Sequence, residues 1–357
     1  MNDLRGSLVL ADGTTFDGKW NGIGAPSFGE ISCATNMTGY LELLTDPCMA
    51  GQLLCFTYPT IGNYGVCLDH ARSERVQVHG VIAREICPWP EQFAMQMTLP
   101  EYLASQGTPV LEDVDTRALT RHLRHHGTQR AVIVPATMPI EEAMQLLAAP
   151  YAPASYPSSA PVHLEGTKGA VMVLNLGDGM SLAQEIHQAG WDVVVCGWSD
   201  AEATCAAAQP LGLIVSNGSE EIMPTTEYLN ILKRLSSTLP VLALGRGHQL
   251  LAMAYGAVVE KLLHPHRGSN LPVKVCGRDE IPITTQNHAL VVSRETLPSE
   301  WVVTHSDLHD HSIDGMRHST LPLWSLQYLA KEADRAIDSW IDQLAFWQAV
   351  RDRKGAR

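Results

Sequence analysis

The chain has 357 residues, 45% apolar and 18% charged, with 25 Lys and Arg against 38 Asp and Glu for a net charge of −13. That length asks for two domains with substantial apolar cores, and the composition excludes general disorder. The acidic balance disfavours nonspecific nucleic-acid binding and an anionic membrane surface, both of which want a basic face, and no run of about 18 apolar residues offers a bilayer span. Eight cysteines stand singly without a C-x-x-C pair, and Met1-Asn-Asp-Leu-Arg5 is no secretory leader. Both features predict reduced, mostly buried thiols in a cytosolic protein.

Residues 1–150 carry short β-like runs at 7–10, 29–35, 52–57 and 76–82, punctuated by Gly, Pro, Asn and Asp, with helical stretches at 99–106 and 116–126. This pattern predicts an α+β domain. The basic run 117–130 falls on an amphipathic helix, where a solvated or partner-contacting face is expected rather than a nucleic-acid site. Four prolines and small polar residues fill 149–161, which is linker composition, so a linker is placed at 151–168 and a second domain at 169–357. In that domain strands at 170–174, 191–196, 211–216 and 241–244 alternate with helices at 181–188, 200–208, 225–235 and 247–255. Such alternation predicts an α/β fold with a mainly parallel sheet flanked by helices on both faces. Ligands of these sheets bind at the carboxyl ends of the strands, where Gly245 and Asn217 fall.

The run Leu239-Pro-Val-Leu-Ala-Leu-Gly-Arg-Gly-His-Gln-Leu-Leu-Ala252 reads as a strand entering a sharp turn and then a helix. A side chain at the tip of such an elbow is thrust out at strained dihedrals while the first helical amides face any oxyanion beside it. Gly245 holds the tip without strain, having no Cβ, and brings neither sulfur nor hydroxyl for attack.

Three N-terminal segments, Gly29 to Pro47, Thr57 to Asn63 and Asp113 to Arg124, join Gly247-His-Gln-Leu-Leu-Ala252, Thr285-Gln-Asn-His288 and Ser325-Leu-Gln327 in a pattern that spans nearly the whole chain. In these segments the chain resembles the small, glutamine-hydrolysing subunit of carbamoyl-phosphate synthetase, a class I glutamine amidotransferase. The resemblance implies an N-terminal small-subunit domain, an amidotransferase-like domain, and a large synthetase subunit or a paralogue as partner. It also implies a Cys–His–Glu triad. This chain has Gly245 in place of the nucleophile, and Gln327-Tyr-Leu-Ala-Lys331 where the family has Gln-Gly-His-Pro-Glu, which puts Leu329 and Lys331 at the other two positions. Leu329 accepts no proton, and Lys331 reverses the charge that would orient the base.

Positions implied to line the glutamine pocket are altered as well. Ser216-Asn-Gly-Ser-Glu-Glu-Ile222 stands for Ser-Asn-Gly-Pro-Gly-Asp-Pro, Gln286-Asn-His-Ala-Leu290 for Gln-Asn-His-Gly-Phe, and Cys48 for a serine. The pocket remnants are thus Cys48, Asn217, Gly218, Arg246, Gln249, Asn287, Ala289 and Leu290. Cys48 is expected to fill a serine's volume rather than act as a substitute nucleophile. Arg246 and Lys331 are expected to plug the cavity or pair with Glu220 or Glu221, the alternative being an anion held at the helix start.

Fifteen histidines include His305, His309, His311 and His318 in one stretch and the run His264-Pro-His-Arg267; no zinc spacing is present, so solvated loops and no metal are expected. No Walker loop, dinucleotide fingerprint or G-x-S-x-G elbow occurs, and no cofactor is expected. The expectation is a noncatalytic small subunit, cytoplasmic, supporting a large subunit that makes carbamoyl phosphate from free ammonia for arginine and pyrimidine synthesis. The alternative is a ligand-binding or regulatory protein that uses an emptied glutamine pocket.

Overall fold

Residues 4–24, 26–149, 156, 160–328, 337, 339–341 and 343–344 are described by the computed structural model, and they fall into two units that divide between positions 154 and 155. The first unit runs β1 (Arg5–Leu10), β2 (Thr15–Trp20), β3 (Ser27–Ala34), α1 (Tyr40–Leu44), β4 (Leu53–Phe56), β5 (Thr60–Ile61), β6 (Gly80–Ile82), β7 (Glu85–Ile86), α2 (Leu99–Ser105), β8 (Val110–Glu112), α3 (Thr116–His126), β9 (Arg130–Pro135) and α4 (Ile140–Ala148). Seven strands close a barrel in the order β1-β2-β8-β6-β4-β3-β9. Closure leaves no edge with unpaired backbone groups. Leu8, Leu10, Ile31, Leu53, Cys55, Ile82, Leu111 and Ile133 pack together in one core, the alternate residues expected of half-buried strands. Helix α3 starts where the Asp115 side chain accepts the Ala118 N–H at 2.8 Å and ends at Gly127 with φ 80°. Its Leu119 and Leu123, one turn apart, are buried, while Arg117, Arg121 and Arg124 face solvent.

The second unit runs β10 (Val162–Leu164), β11 (Ala170–Leu174), α5 (Gly179–Gln188), β12 (Asp192–Cys196), α6 (Ala201–Ala208), β13 (Gly212–Val215), α7 (Thr226–Thr238), β14 (Val241–Leu244), α8 (Arg246–Ala254), β15 (Val259–Val275), β16 (Ile283–Val292), β17 (Trp301–Asp307), β18 (Ile313–His318) and β19 (Leu323–Leu326). One ten-stranded sheet has the order β10-β12-β11-β13-β14-β19-β18-β16-β15-β17. From β12 to β19 neighbouring strands are parallel, and β13 and β14 are buried at every residue, as strands covered on both faces must be.

Two features depart from the sequence reading. Val162–Leu164, inside the segment assigned to the linker, pairs antiparallel with β12 as an edge strand; three residues are too few to carry a period. Beyond β19 the sheet continues through β15 to β18 as an antiparallel lobe. The cysteines also differ: all eight are thiols, but only Cys48, Cys55 and Cys196 are buried and Cys276 is exposed. Among the described residues no helix is long and apolar enough to cross a membrane.

Candidate functional site

The expected elbow is present at the carboxyl end of β14. Gly245 has φ 52° and ψ −114°, its N–H donates to the Leu326 carbonyl at 2.8 Å, and α8 begins at the next residue. Positive φ of this kind strains any L side chain. A Cβ on Gly245 would also stand 2.1 Å from Asn217 Oδ1. That oxygen, just beyond β13, accepts the Arg246 N–H at 2.8 Å, so it satisfies one of the helix's first amides. Gly218, one residue on, leaves no space for a side chain either, because a Cβ there would lie 2.3 Å from the Leu176 carbonyl oxygen.

Beside the elbow, this unit's own side chains are joined in hydrogen bonds, with Arg246 linked through Gln249 to Glu220, one of its two expected partners. Arg246 is 2% exposed. Its Nη1 donates to Gln249 Oε1 at 2.6 Å, its Nη2 to the Ile222 carbonyl at 2.8 Å and its Nε to the Tyr156 hydroxyl at 3.4 Å. Gln249, fully buried, turns its Nε2 to Glu220 Oε1 at 2.6 Å, the Leu290 carbonyl at 3.0 Å and Gln327 Oε1 at 3.2 Å. Glu220 then accepts two successive backbone N–H groups, Ala289 at 2.7 Å and Leu290 at 3.2 Å. A guanidinium, a carboxamide and a carboxylate therefore run in series, and the amide carries the interaction between the two charges. Charge-assisted bonds of this kind are about twice as strong as neutral ones.

Arg246 is thus turned inward. It does not present its charge to an outside anion, because its guanidinium donates inward to Gln249, Ile222 and Tyr156. Tyr156 was hidden from sequence reasoning by the proline-rich stretch around it, yet it is 4% exposed and lies against Trp198 and Tyr228, whose rings stack at 4.9 Å. Burial raises the pKa of its phenol. Glu220 was foreseen only as a pairing partner. The signal for its larger role is its place in the sequence, at a position where the resembled loop has glycine.

The remaining expected residues are placed as follows. Cys48 belongs to the first unit, in a short 3-10 turn over Pro47–Met49, with its backbone N–H held by Asp46. The Asn287 side chain accepts from Arg267. Leu329 and Lys331 lie outside the described residues. His248, two residues into α8, is fully buried with Nδ1 2.8 Å from Ser325 Oγ, and burial pushes its imidazole down to about 3. His264-Pro-His-Arg267 is not a solvated loop: His266 lies within β15, 8% exposed. Its register partner on β16 is His288, which burial drives well below the ordinary imidazole range, and nearby on β18 burial pushes the Asp314 carboxyl up to about 7. This second buried cluster had no local signal, because its members come from four strands.

Comparison with known proteins gives two matches along the chain. A family model for the carbamoyl-phosphate synthase small chain, CPSase domain, matches residues 8–133, and one for class-I glutamine amidotransferase matches residues 173–328. The carbamoyl phosphate synthase small chain of Symbiobacterium thermophilum is 37% identical over 333 residues, which cover 89% of this chain and 91% of that one. The pyrimidine-specific small chain of Halalkalibacterium halodurans is 34% identical, covering 94% of each. The small chain of Streptococcus mutans is likewise 34% identical, covering 90% of each.

Proposed function

This chain belongs to the carbamoyl-phosphate synthase small-chain family, and from that premise we propose that it is a noncatalytic small subunit: it binds a large synthetase subunit and leaves glutamine hydrolysis undone. The observation that carries the reading is the Glu220 carboxylate seated on the Ala289 and Leu290 amides beside an elbow whose tip is Gly245. Glutamine hydrolysis needs a nucleophile at the tip and room for a substrate next to it. Here the tip has no side chain, and the space beside it holds Glu220, Gln249 and Arg246 in mutual hydrogen bonds. The sequence adds Leu329 and Lys331 at the positions that would supply base and orienting acid. The same packing weighs against a metabolite sensor at this place, since a ligand would have to part the hydrogen bonds that join buried Arg246 and Gln249 to Glu220.

Support for docking comes from the first unit, which keeps the long family motifs at 29–47 and 57–63. Trp89 and Phe93 there are 85% and 100% exposed, large apolar side chains of the type that protein interfaces cover. The large subunit then performs the chemistry with free ammonia, in arginine or pyrimidine synthesis.

The test is co-purification with candidate large subunits, followed by carbamoyl-phosphate assays with glutamine and ammonium in parallel. A complex active with ammonium and inert with glutamine is expected. Glutamine-dependent turnover overturns the proposal, and absence of any complex overturns the docking half of it.

A further inference from the structure

Strands β15, β16, β17 and β18 bring five side chains to one place in the antiparallel lobe: His266, His288, Gln286, Asp307 and Asp314. His266 and His288 are register partners, their rings 5.0 Å apart. His288 Nδ1 lies 3.0 Å from the Leu290 carbonyl, which can only accept, so a neutral ring carries its hydrogen there and turns a lone pair out at Nε2. His266 Nε2 lies 2.9 Å from Asp310 Oδ2, so its hydrogen is spent on that carboxylate and the lone pair is at Nδ1. Both lone pairs aim at the same acceptor, Gln286 Oε1, at 2.8 Å from His288 and 3.2 Å from His266.

Two carboxylate oxygens add to this excess of electron pairs. Asp307 Oδ2 and Asp314 Oδ1 are buried with no hydrogen-bond partner among the described residues, on side chains whose residues are 1% and 0% exposed. Asp307 Oδ2 points into the cluster, 4.0 Å from His266 Nδ1. Gln286 Nε2 gives Asp314 Oδ2 one donor at 3.2 Å, but the two imidazole lone pairs and the two bare carboxyl oxygens have none; buried polar atoms are nearly always partnered, so this convergence asks for a positive centre. One ligand atom from each of His266, His288 and Asp314 lies within 4.8 Å of the other two. Ligands of a tetrahedral zinc ion at about 2.1 Å are about 3.4 Å apart, so the set needs to contract by little more than an ångström.

We infer that this cluster is a binding site for a divalent transition-metal cation of the Zn2+ type, ligated by His266 Nδ1, His288 Nε2 and Asp314, with Gln286 Oε1 and Asp307 beside them. Two imidazoles with carboxylate oxygen are the donor set such ions select. The outer partners that orient metal-bound histidines are already in place, Asp310 on His266 and the Leu290 carbonyl on His288. Asp310, which holds His266, has a side chain 38% exposed. The cluster adjoins the elbow's network, since the Leu290 carbonyl takes both His288 Nδ1 and Gln249 Nε2, but the ligands themselves are not part of the Arg246–Gln249–Glu220 series, and metal uptake is read without any glutaminase assay.

The test uses the full chain, stripped with a chelator and titrated with Zn2+ by calorimetry and with Co2+ by visible absorption. One Zn2+ per chain, a four-coordinate Co2+ spectrum and a rise in Tm with Zn2+ are expected. His288→Gln and Asp314→Asn should each weaken Zn2+ binding by at least about 100-fold, since even the outer partners of metal ligands are worth 10- to 100-fold. His122→Gln, at a surface histidine paired with Asp12, should leave it unchanged. Two results overturn the inference: a chain that takes up no stoichiometric Zn2+ and gives no Co2+ bands, its Gln286 amide reversed so that NH2 donates to both rings, or binding that persists in both cluster variants. If a variant does not fold, the wild-type Co2+ spectrum decides, because it reports whether nitrogen and oxygen ligands surround the ion.

Discussion

Gly245→Ala isolates what the elbow demands of its tip. An L residue at φ 52° carries backbone strain of about 1–3 kcal/mol. The added Cβ, 2.1 Å from Asn217 Oδ1, forces that side chain aside and breaks its bond to the Arg246 N–H, leaving a buried donor unmet at about 1–3 kcal/mol. The sum is about 2–6 kcal/mol, and at about 2–4 °C per kcal/mol for a unit of this size the second unit should melt at least about 4 °C lower. Urea denaturation followed by tryptophan fluorescence measures the cost. Asn217→Gly in the same background removes the clash but not the backbone strain, so the two changes should couple by about 1–2 kcal/mol in a double-mutant cycle. A Gly245→Ala chain as stable as the parent, or strictly additive effects, would refute the argument from the elbow. Gly245→Cys should carry a similar cost and bring no glutaminase activity.

Glu220→Gln replaces one accepting oxygen by NH2, which then faces either the Ala289 N–H or the Leu290 N–H and the Gln249 amide, and should cost about 1–3 kcal/mol by thermal unfolding; no loss would mean that the carboxylate is not held as described. Arg246→Met keeps the stem but strips the donors from Gln249 Oε1 and the Ile222 carbonyl, so a loss of about 1–3 kcal/mol is expected, and a stabilised variant would count against the guanidinium's role. His248 titrates at about 3 when folded against 6.5 in a model peptide, so the unfolded chain binds the proton first as pH falls. Its contribution is whole above about pH 6.5 and is lost progressively toward pH 3. Stability of His248→Gln should therefore decline less steeply between pH 6.5 and 4 than that of the parent, and parallel curves would show that His248 does not set the acid limb.

What the sequence disclosed follows from how local each signal is. Val241–Leu244 and Ala170–Leu174 are unbroken apolar runs, and the structure has strands with those same ends. The helix expected at 116–126 likewise has those same ends in the structure, Thr116–His126. The antiparallel lobe gave no such signal. β15 holds Pro265, Gly268 and Pro272 and shifts register twice along β16, so no period of two survives in its sequence. His266 read as a loop residue because its run matches no zinc spacing; its register partner His288 is twenty-two positions away on the next strand. Gly245 was legible because a strand-to-helix elbow has few solutions. What fills the space beside it was not, because Tyr156, Glu220 and Arg246 meet only through the fold.

Glu220 has a consequence for mass action. It is a carboxylate tethered to the amides it occupies, so a free carboxylate must compete with an occupant whose local concentration is set by the loop and not by the cell. For short tethers that effective concentration is millimolar or above, and here the loop is ordered and the competitor would also have to part Gln249 from its carboxylate. A free metabolite has to exceed that concentration, and part the same hydrogen bonds, to enter at this place.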